Sequence, residues 1–151
     1  MQVPYFVFNK SQIGYNHIKA EKGCEDWSGT YQDERMNICV VADGHGSDNY
    51  PRTDRGARFA VEAAICCVKE FLVKVSTEDL LGRRQEEIML QLEKSILRAW
   101  HMLVEEDFKR HEIKAEELEK VSERYRERYI EKLSIEKAYG TTLIIFAITN
   151  D

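Results

Sequence analysis

Two stretches of the chain carry apolar residues at the spacing of an amphipathic helix. In 54–75 the apolar positions recur every three or four residues, which places them on one face of a helix. A similar stripe covers 77–104 and follows Ser76, a residue type that is favoured at helix N-termini. The periodicity therefore predicts helices at 54–75 and 77–104.

Strand-like patterns occupy both ends of the chain. The part from 5 to 42 contains aromatic and β-branched runs separated by turn-forming residues, and it is interpreted as strands, including 5–8 and 13–19. The run 36–42 is almost continuously apolar, so we expect it to be buried on both faces. The β-rich run 141–149 predicts a core strand. Strands and helices in this order predict an α+β fold.

Charged residues dominate 105–133, where the apolar positions thin to a narrow helical seam. This pattern predicts a charged helical insertion with a solvated surface, supported by pairs such as Glu116 with Lys120. A helix that binds another protein is the alternative. Because the apolar stripe is too narrow to add much to a core, we expect the segment to be dispensable for the fold.

Composition narrows the classes of partner and compartment. The chain has 151 residues, enough for one domain or part of one. Lys and Arg number 22 against 27 Asp and Glu, and the net charge of -5 argues against nucleic acid or an anionic membrane as a partner. No apolar run approaches the roughly 18 residues of a membrane span. The four cysteines lack ligand spacing, which predicts small, buried apolar residues in a reduced, cytoplasmic protein.

The candidate chemistry is concentrated where the buried strand ends, at Asp43-Gly44-His45. This tripeptide brings a carboxylate, a glycine turn with little side-chain bulk and an imidazole to one point. The alternative to a functional site is an ordinary glycine turn in which the histidine has no role. Upstream, Glu25 and Asp26 point to opposite sides of an extended chain, so that one of them could join Asp43. Carboxylates without Cys or ligand-spaced His favour Mg²⁺ or Mn²⁺ over zinc.

Taken in order, these motifs resemble those of the metal-dependent protein phosphatases, the PPM or type 2C serine/threonine phosphatase family. The stretch after Asp54 is also similar to the first helix of bacterial members. The matching segments are Gly14-x-x-His17 leading to Glu25-Asp26, then Val41-Ala-Asp43-Gly44-His45-Gly46, then Gly140-Thr141-Thr142.

The resemblance implies the N-terminal portion of an αββα sandwich, with two Mn²⁺ or Mg²⁺ ions that activate water against phosphoserine or phosphothreonine. It implies that Asp43 bridges both ions, that Gly44 offers its carbonyl and that Glu25 binds the second ion. Asp26 would not bind an ion itself but would lie next to the residues that do, and His45 would be the general acid for the leaving alkoxide.

The phosphate-binding position departs from the family pattern. Where the family commonly has an arginine, four residues before the acidic pair, this chain has Glu21, an anion that repels phosphate. By the Gly-x-x-Arg spacing of bacterial members, His17 takes the place of the arginine, with Lys19 and Lys22 nearby. His17 is thus the predicted phosphate-binding residue, without the bidentate fork of arginine.

The family takes further metal-binding aspartates from a C-terminal half that lies outside these 151 residues. We therefore expect either the rest of a longer protein or a separate chain to complete the site. We expect the isolated chain to be inactive, to bind metal weakly and to self-associate, or to be stable only together with the missing half. The predicted partner is a phosphoprotein substrate. The alternatives are a non-catalytic phosphatase-like interaction module and a plain α+β binding domain with a chance Asp-Gly-His-Gly.

Overall fold

A three-stranded antiparallel sheet lies at the centre of the structure, a computed structural model that describes residues 5–19 and 22–149 apart from the side chain of Asn16. Its strands, in spatial order, are β1 (Asp26–Gln32), β2 (Met36–Asp43) and β3 (Ile144–Thr149). The predicted strands at 36–42 and 141–149 are confirmed as β2 and β3. Together with the helices, this sheet confirms the α+β class and is consistent with part of a sandwich.

The helices follow the predicted periodicity with one interruption. They are α1 (Tyr15–Lys19), α2 (Thr53–Lys74), α3 (Thr77–Leu81), α4 (Gln85–Arg110) and α5 (Glu123–Ile130), with 3₁₀ helices at Ala115–Leu118 and Ile135–Tyr139. The helix expected at 54–75 is α2, but the one expected at 77–104 is divided, because the extended backbone of Gly82 ends α3. None of the helices in the described part of the chain has the length and apolar character of a membrane span.

The strands predicted at 5–8 and 13–19 are wrong. Residues 5–8 lie in a segment without regular secondary structure, and most of 13–19 forms α1. The N-terminal segment lies beside β1 and is attached to it by hydrogen bonds that involve side chains, not by the backbone hydrogen bonds of a paired strand. The Asn9 amide donates to the Ser28 carbonyl at 3.0 Å, and the Thr30 hydroxyl donates to the Asn9 Oδ1 at 2.9 Å. Polar side chains can therefore hold a β-like sequence beside a sheet without adding a strand to it.

One face of the sheet carries the main core, in which α2 packs on β1 and β2, and α4 packs beside α2. The buried side chains of β2 on this face are Met36, Ile38, Val40 and Ala42. We refer to the opposite face as the outer face, where Val41 is 49% exposed, Ile144 67% and Phe146 61%. The expectation that 36–42 is buried on both faces is therefore wrong at Val41, although Asn37, on the same outer face by the alternation of the strand, is 4% exposed.

The charged segment 105–133 is not a solvated helix. It comprises the end of α4, a 3₁₀ turn and α5, and we refer to it as the insertion. Its apolar side chains Leu118, Val121 and Tyr129 are buried with Phe59 of α2 in a second core cluster. The expectation that the insertion adds little to the core is wrong, because the chain turns between its short helices and brings scattered apolar side chains onto one surface.

A buried arginine joins the insertion to the start of α2. Arg52 is 2% exposed, and its guanidinium binds both carboxylate oxygens of Glu117, at 2.8 and 3.1 Å. Its Nη1 donates to the His111 carbonyl at 2.6 Å and to the Tyr139 hydroxyl at 2.7 Å. Tyr139 in turn donates to Asp107 at 2.7 Å. Because a buried charge is stable only when it is paired and hydrogen-bonded, these contacts make the insertion part of the fold.

Gly56 allows α2 to approach the chain just before β3. A Cβ at this position would overlap the backbone carbonyl of Tyr139, which cannot move aside as a side-chain tip can. Gly56→Ala is expected to destabilise the protein by at least the roughly 1–3 kcal/mol that overpacking costs, although alanine is the better helix former. Urea denaturation measures this change. Gly23→Ala is the control, since no atom lies within 4 Å of its Cβ position; equal stability of the two variants would contradict the prediction.

Candidate active site

Two carboxylates stand side by side where β1 begins and β2 ends. Asp26 and Asp43 are direct partners in the antiparallel register, so their side chains share the outer face. Burial, the neighbouring charge of Asp43 and a hydrogen bond with it raise the pKa of Asp26 above its ordinary value. The charge of His17, on α1, acts in the opposite direction on the pKa of Asp26. The structure thus brings together Asp26 and Asp43, and His17 acts on Asp26 electrostatically.

The Gly-Thr-Thr segment fixes the backbone of Asp43 from across the sheet. The Asp43 carbonyl accepts hydrogen bonds from the Thr142 amide at 2.8 Å and from the Thr141 hydroxyl at 2.9 Å. The Asp43 amide also lies 3.3 Å from the Thr142 hydroxyl. Because both the carbonyl and the amide of Asp43 are hydrogen-bonded, its backbone is fixed, and so is the direction in which its carboxylate points from the sheet. The sequence motif pointed to these threonines only as a family match, and their anchoring role becomes clear from the contacts.

Gly44 and His45 follow in a crowded turn. A Cβ on Gly44 would overlap the Thr53 hydroxyl and lie 2.5 Å from the Glu25 carbonyl oxygen, so a larger residue would push the loop away. The His45 amide donates to the Gly140 carbonyl at 3.2 Å, and its exposed imidazole lies against the Cα side of Gly140. His45 therefore presents its ring to solvent beside the carboxylate pair, as expected of a group that exchanges protons.

Glu25 occupies the other side of the loop from Asp26. The Gly44 amide donates to the Glu25 carbonyl at 3.2 Å. The Glu25 Oε2 lies 3.3 Å from the position that a Cβ on Gly46 would occupy. It borders a pocket of about 390 Å³ whose wall includes Asp48. Of the two acidic residues predicted for the site, the structure thus places Asp26, and not Glu25, directly beside Asp43. The role of Glu25 as a metal ligand stays a prediction.

The cations around the predicted phosphate position already have partners. Lys22 forms a salt bridge with Asp48 at 3.0 Å, which raises the pKa of Lys22. The Lys19 ammonium lies 4.8 Å from the centre of the Tyr15 ring. His17 acts electrostatically on Asp26, and Glu21 lies outside the described residues.

The site offers the kind of ligand that a divalent cation prefers. Asp26 and Asp43 present hard oxygen donors side by side, and the raised pKa of Asp26 reflects first its partial burial and then a repulsion by Asp43 that a cation would relieve. Over residues 5–19 and 22–149, no group of three or more His, Cys, Asp and Glu side chains is arranged to hold a metal ion. The described side chains therefore supply part of a coordination shell that ordinarily has about six ligands.

Comparison with known proteins gives one match. The sequence model of a family described as protein phosphatase 2C matches residues 13–151. A search of curated proteins and a search of solved structures found no match. The matched region contains both carboxylates of the pair, the histidine after them and the Gly-Thr-Thr anchor.

Proposed function

The chain belongs to the protein phosphatase 2C family, and from this premise we propose that it hydrolyses phosphoserine and phosphothreonine in proteins with two Mn²⁺ or Mg²⁺ ions as cofactors. The observation that carries the proposal is the carboxylate pair Asp26 and Asp43 at adjoining strand ends, followed directly by the exposed imidazole of His45. A phosphatase needs such a combination, because anionic ligands must hold the cations that bind phosphate and an acid must reach the leaving group.

Each residue has a proposed role in binding. Asp43, the Gly44 carbonyl and Glu25 would hold the metal ions, and Asp26, hydrogen-bonded to Asp43, would orient that carboxylate. When bound, the ions lower the pKa of water and neutralise the phosphoryl oxygens. His17 would contact the phosphate group, a role supported by its electrostatic effect on Asp26.

His45 would complete the reaction by proton transfer. As a water oxygen forms its bond to phosphorus, the phosphorus–oxygen bond to the serine or threonine breaks, and the departing oxygen keeps the electron pair. That oxygen takes a proton from the His45 imidazolium and leaves as the free hydroxyl. A histidine suits this step, because its ordinary pKa lies near neutrality.

Phosphate release from a phosphoserine peptide by the full-length protein tests the function. We expect release in Mn²⁺ or Mg²⁺ and none after the metal is removed with EDTA. Equal release with and without metal would contradict the metal requirement, and no release under any metal condition would contradict the enzymatic function.

Metal binding should depend on Asp43. Asp43→Asn keeps the size of the side chain but removes the negative charge that the cation needs, so Mn²⁺ affinity in calorimetry should fall by about tenfold or more. Glu62→Gln, on the exposed face of α2, makes the same charge change away from the site and should leave the affinity unchanged. Unchanged affinity in Asp43→Asn would remove this residue from the metal site.

A non-catalytic interaction module is the second candidate. It draws support from the incomplete ligand set within the described residues and from the absence of arginine at the position now held by Glu21. The packing of the insertion against α2 weakens it, because that segment was the predicted binding surface. The metal-dependent release assay separates the two functions.

The compartment and the partners are part of the same proposal. Four free cysteines support a reducing compartment, and we propose the cytoplasm. Contrary to the expectation that they are buried, Cys66 is exposed and the other three are half-buried. A phosphoprotein is the proposed substrate.

Residues 1–151 alone should self-associate through the outer face of the sheet, because its apolar side chains are open to water. Phe146→Lys should lower the fraction of dimer or larger species in sedimentation velocity. Leu81→Lys changes an even more exposed apolar residue, on α3, and should leave that fraction unchanged. A monomeric parent chain would contradict the prediction.

A further inference from the structure

The loop that follows His45 rests on the insertion. The Asn49 Oδ1 accepts hydrogen bonds from the Ser122 amide at 3.0 Å and from the Ser122 hydroxyl at 2.7 Å. The Asn49 backbone carbonyl accepts a third, from the hydroxyl of Tyr129 at 2.8 Å. Because Tyr129 is itself buried, these bonds connect the loop to a fixed part of the fold.

A row of aromatic rings extends this connection to the imidazole. The rings of His45 and Tyr50 have centroids 4.8 Å apart at an angle of 57°. Tyr50 meets Tyr125 edge to face at 5.8 Å, and a side-chain hydrogen bond between them raises the pKa of Tyr50. Tyr125 lies 6.3 Å from Tyr129. Such separations are those of favourable aromatic pairs.

The imidazole of His45 therefore has two neighbours that limit its rotation. Gly140 lies against one side, so closely that a Cβ there would overlap the His45 Cδ2, and Tyr50 lies beside the ring. His45 is otherwise exposed, so without Tyr50 its side chain would sample other rotamers. An acid that is displaced by about 1 Å can lose about 100-fold in rate.

We propose that Tyr50 is a positioning residue for His45, and that the insertion acts on the catalytic step through Tyr125 and Tyr50. This inference rests on the proposed phosphatase function, in which His45 gives its proton to the leaving group. It assigns the insertion a second task besides its packing, because Ser122, Tyr125 and Tyr129, which contact Asn49 and Tyr50, belong to that segment.

The kinetic test compares Tyr50→Leu with Tyr50→Phe in the full-length enzyme with Mn²⁺. Tyr50→Leu should lower kcat for a phosphoserine peptide by about 10–100-fold with KM nearly unchanged, since the proposed role of this ring is to position His45 and not to bind substrate. The loss should be smaller for p-nitrophenyl phosphate, whose leaving group needs no proton. Tyr50→Phe keeps the ring and should retain most of the activity.

Two results would overturn the proposal in an active enzyme. One is an equal loss for the two substrates. The other is a further loss when Tyr50→Leu is added to His45→Ala, because a residue that acts only through His45 has no effect once that imidazole is gone.

A second measurement does not depend on activity. In NMR spectra, Tyr50→Leu should move the imidazole resonances of His45, because the ring beside it is removed, and Tyr125→Leu should move them in part. Tyr5→Leu, an exposed tyrosine in the N-terminal segment, is the matched control and should leave them in place. If the protein releases no phosphate, the proposed function fails by itself. Unmoved His45 resonances in Tyr50→Leu would overturn the positioning role whatever the activity.

Discussion

Glu117→Ala is expected to lower the free energy of unfolding by about 3–5 kcal/mol, the usual cost of removing one partner from a buried ion pair. The variant leaves the Arg52 guanidinium inside the protein without its bidentate carboxylate, while Tyr139, the His111 carbonyl and, at 3.6 Å, the Asp107 carboxylate remain. Urea denaturation followed by circular dichroism measures the change. Glu116→Ala removes an exposed neighbour of the same charge and should have little effect.

Acid should reveal the same network. Burial alone would raise the pKa of Glu117, but hydrogen bonds from Arg52 and the Lys114 amide outweigh it and lower the pKa below its ordinary value. The pKa of Asp107 is lowered as well, by Tyr139 and Arg55 against its burial. A carboxylate with a lowered folded pKa stabilises the fold above its unfolded pKa, of about 4, and that stability is lost as the pH falls through the folded value.

Stability should therefore decline below about pH 4 more steeply in the parent protein than in Glu117→Ala. The paired variant Arg52→Met with Glu117→Met should be less destabilised than Glu117→Met alone, since no charge is then left unpaired. Equal stability of Glu117→Ala and Glu116→Ala would show that the insertion is held without the ion pair.

His45→Ala is expected to lower kcat for a phosphoserine peptide by about 10²–10⁴-fold, the range of general acid catalysis. The loss follows from the proposed function, because the serine oxygen leaves as an alkoxide unless a proton reaches it. Metal-dependent phosphate release measures the rate. For p-nitrophenyl phosphate the loss should be much smaller, since nitrophenolate is a stable leaving group.

A control for this prediction uses another histidine. His101 lies on α4 beside Trp100, outside the site, and His101→Ala should retain the parent kcat on both substrates. Equal losses for alkyl and aryl phosphates in His45→Ala would assign His45 a role in binding or folding in place of proton transfer.

The spacing of apolar residues along the chain was sufficient to predict the central strand β2 and the helix α2. The continuous apolar run 36–42 and the three-and-four spacing of 54–75 predicted β2 and α2, because burial on a sheet or against a helix imposes those periods. It was insufficient for residues 5–8, where the strand-like side chains of Phe6 and Phe8 are exposed and the link to β1 is a hydrogen bond from the Gln32 amide to the Tyr5 carbonyl. It also missed the burial of the insertion, because nothing along the chain marks Glu117 and Asp107, among many acids, as the two that meet Arg52.

The candidate site shows the same division. The Asp-Gly-His-Gly motif after a buried strand located Asp43 and His45, since strand ends expose side chains at one point. The choice between Glu25 and Asp26 as the neighbour of Asp43 depends on the register of β1 against β2, which pairs Asp26 with Asp43. A shift of one residue would have exchanged them. Tyr50 was missed because an aromatic residue in a polar loop gives no sign of what it contacts.

The pairing of β3 with β2 has a consequence for the order of folding. The hairpin of β1 and β2 closes over a tight turn, whereas 99 positions separate Asp43 from the Thr142 that anchors it. Long loops close at greater entropic cost and fold more slowly, so the hairpin and α2 should assemble before β3 docks. That last step also fixes Asp43 and His45. Transient detachment of β3 would therefore release Asp43 and His45 and inactivate the site, while β1 and β2 stay paired.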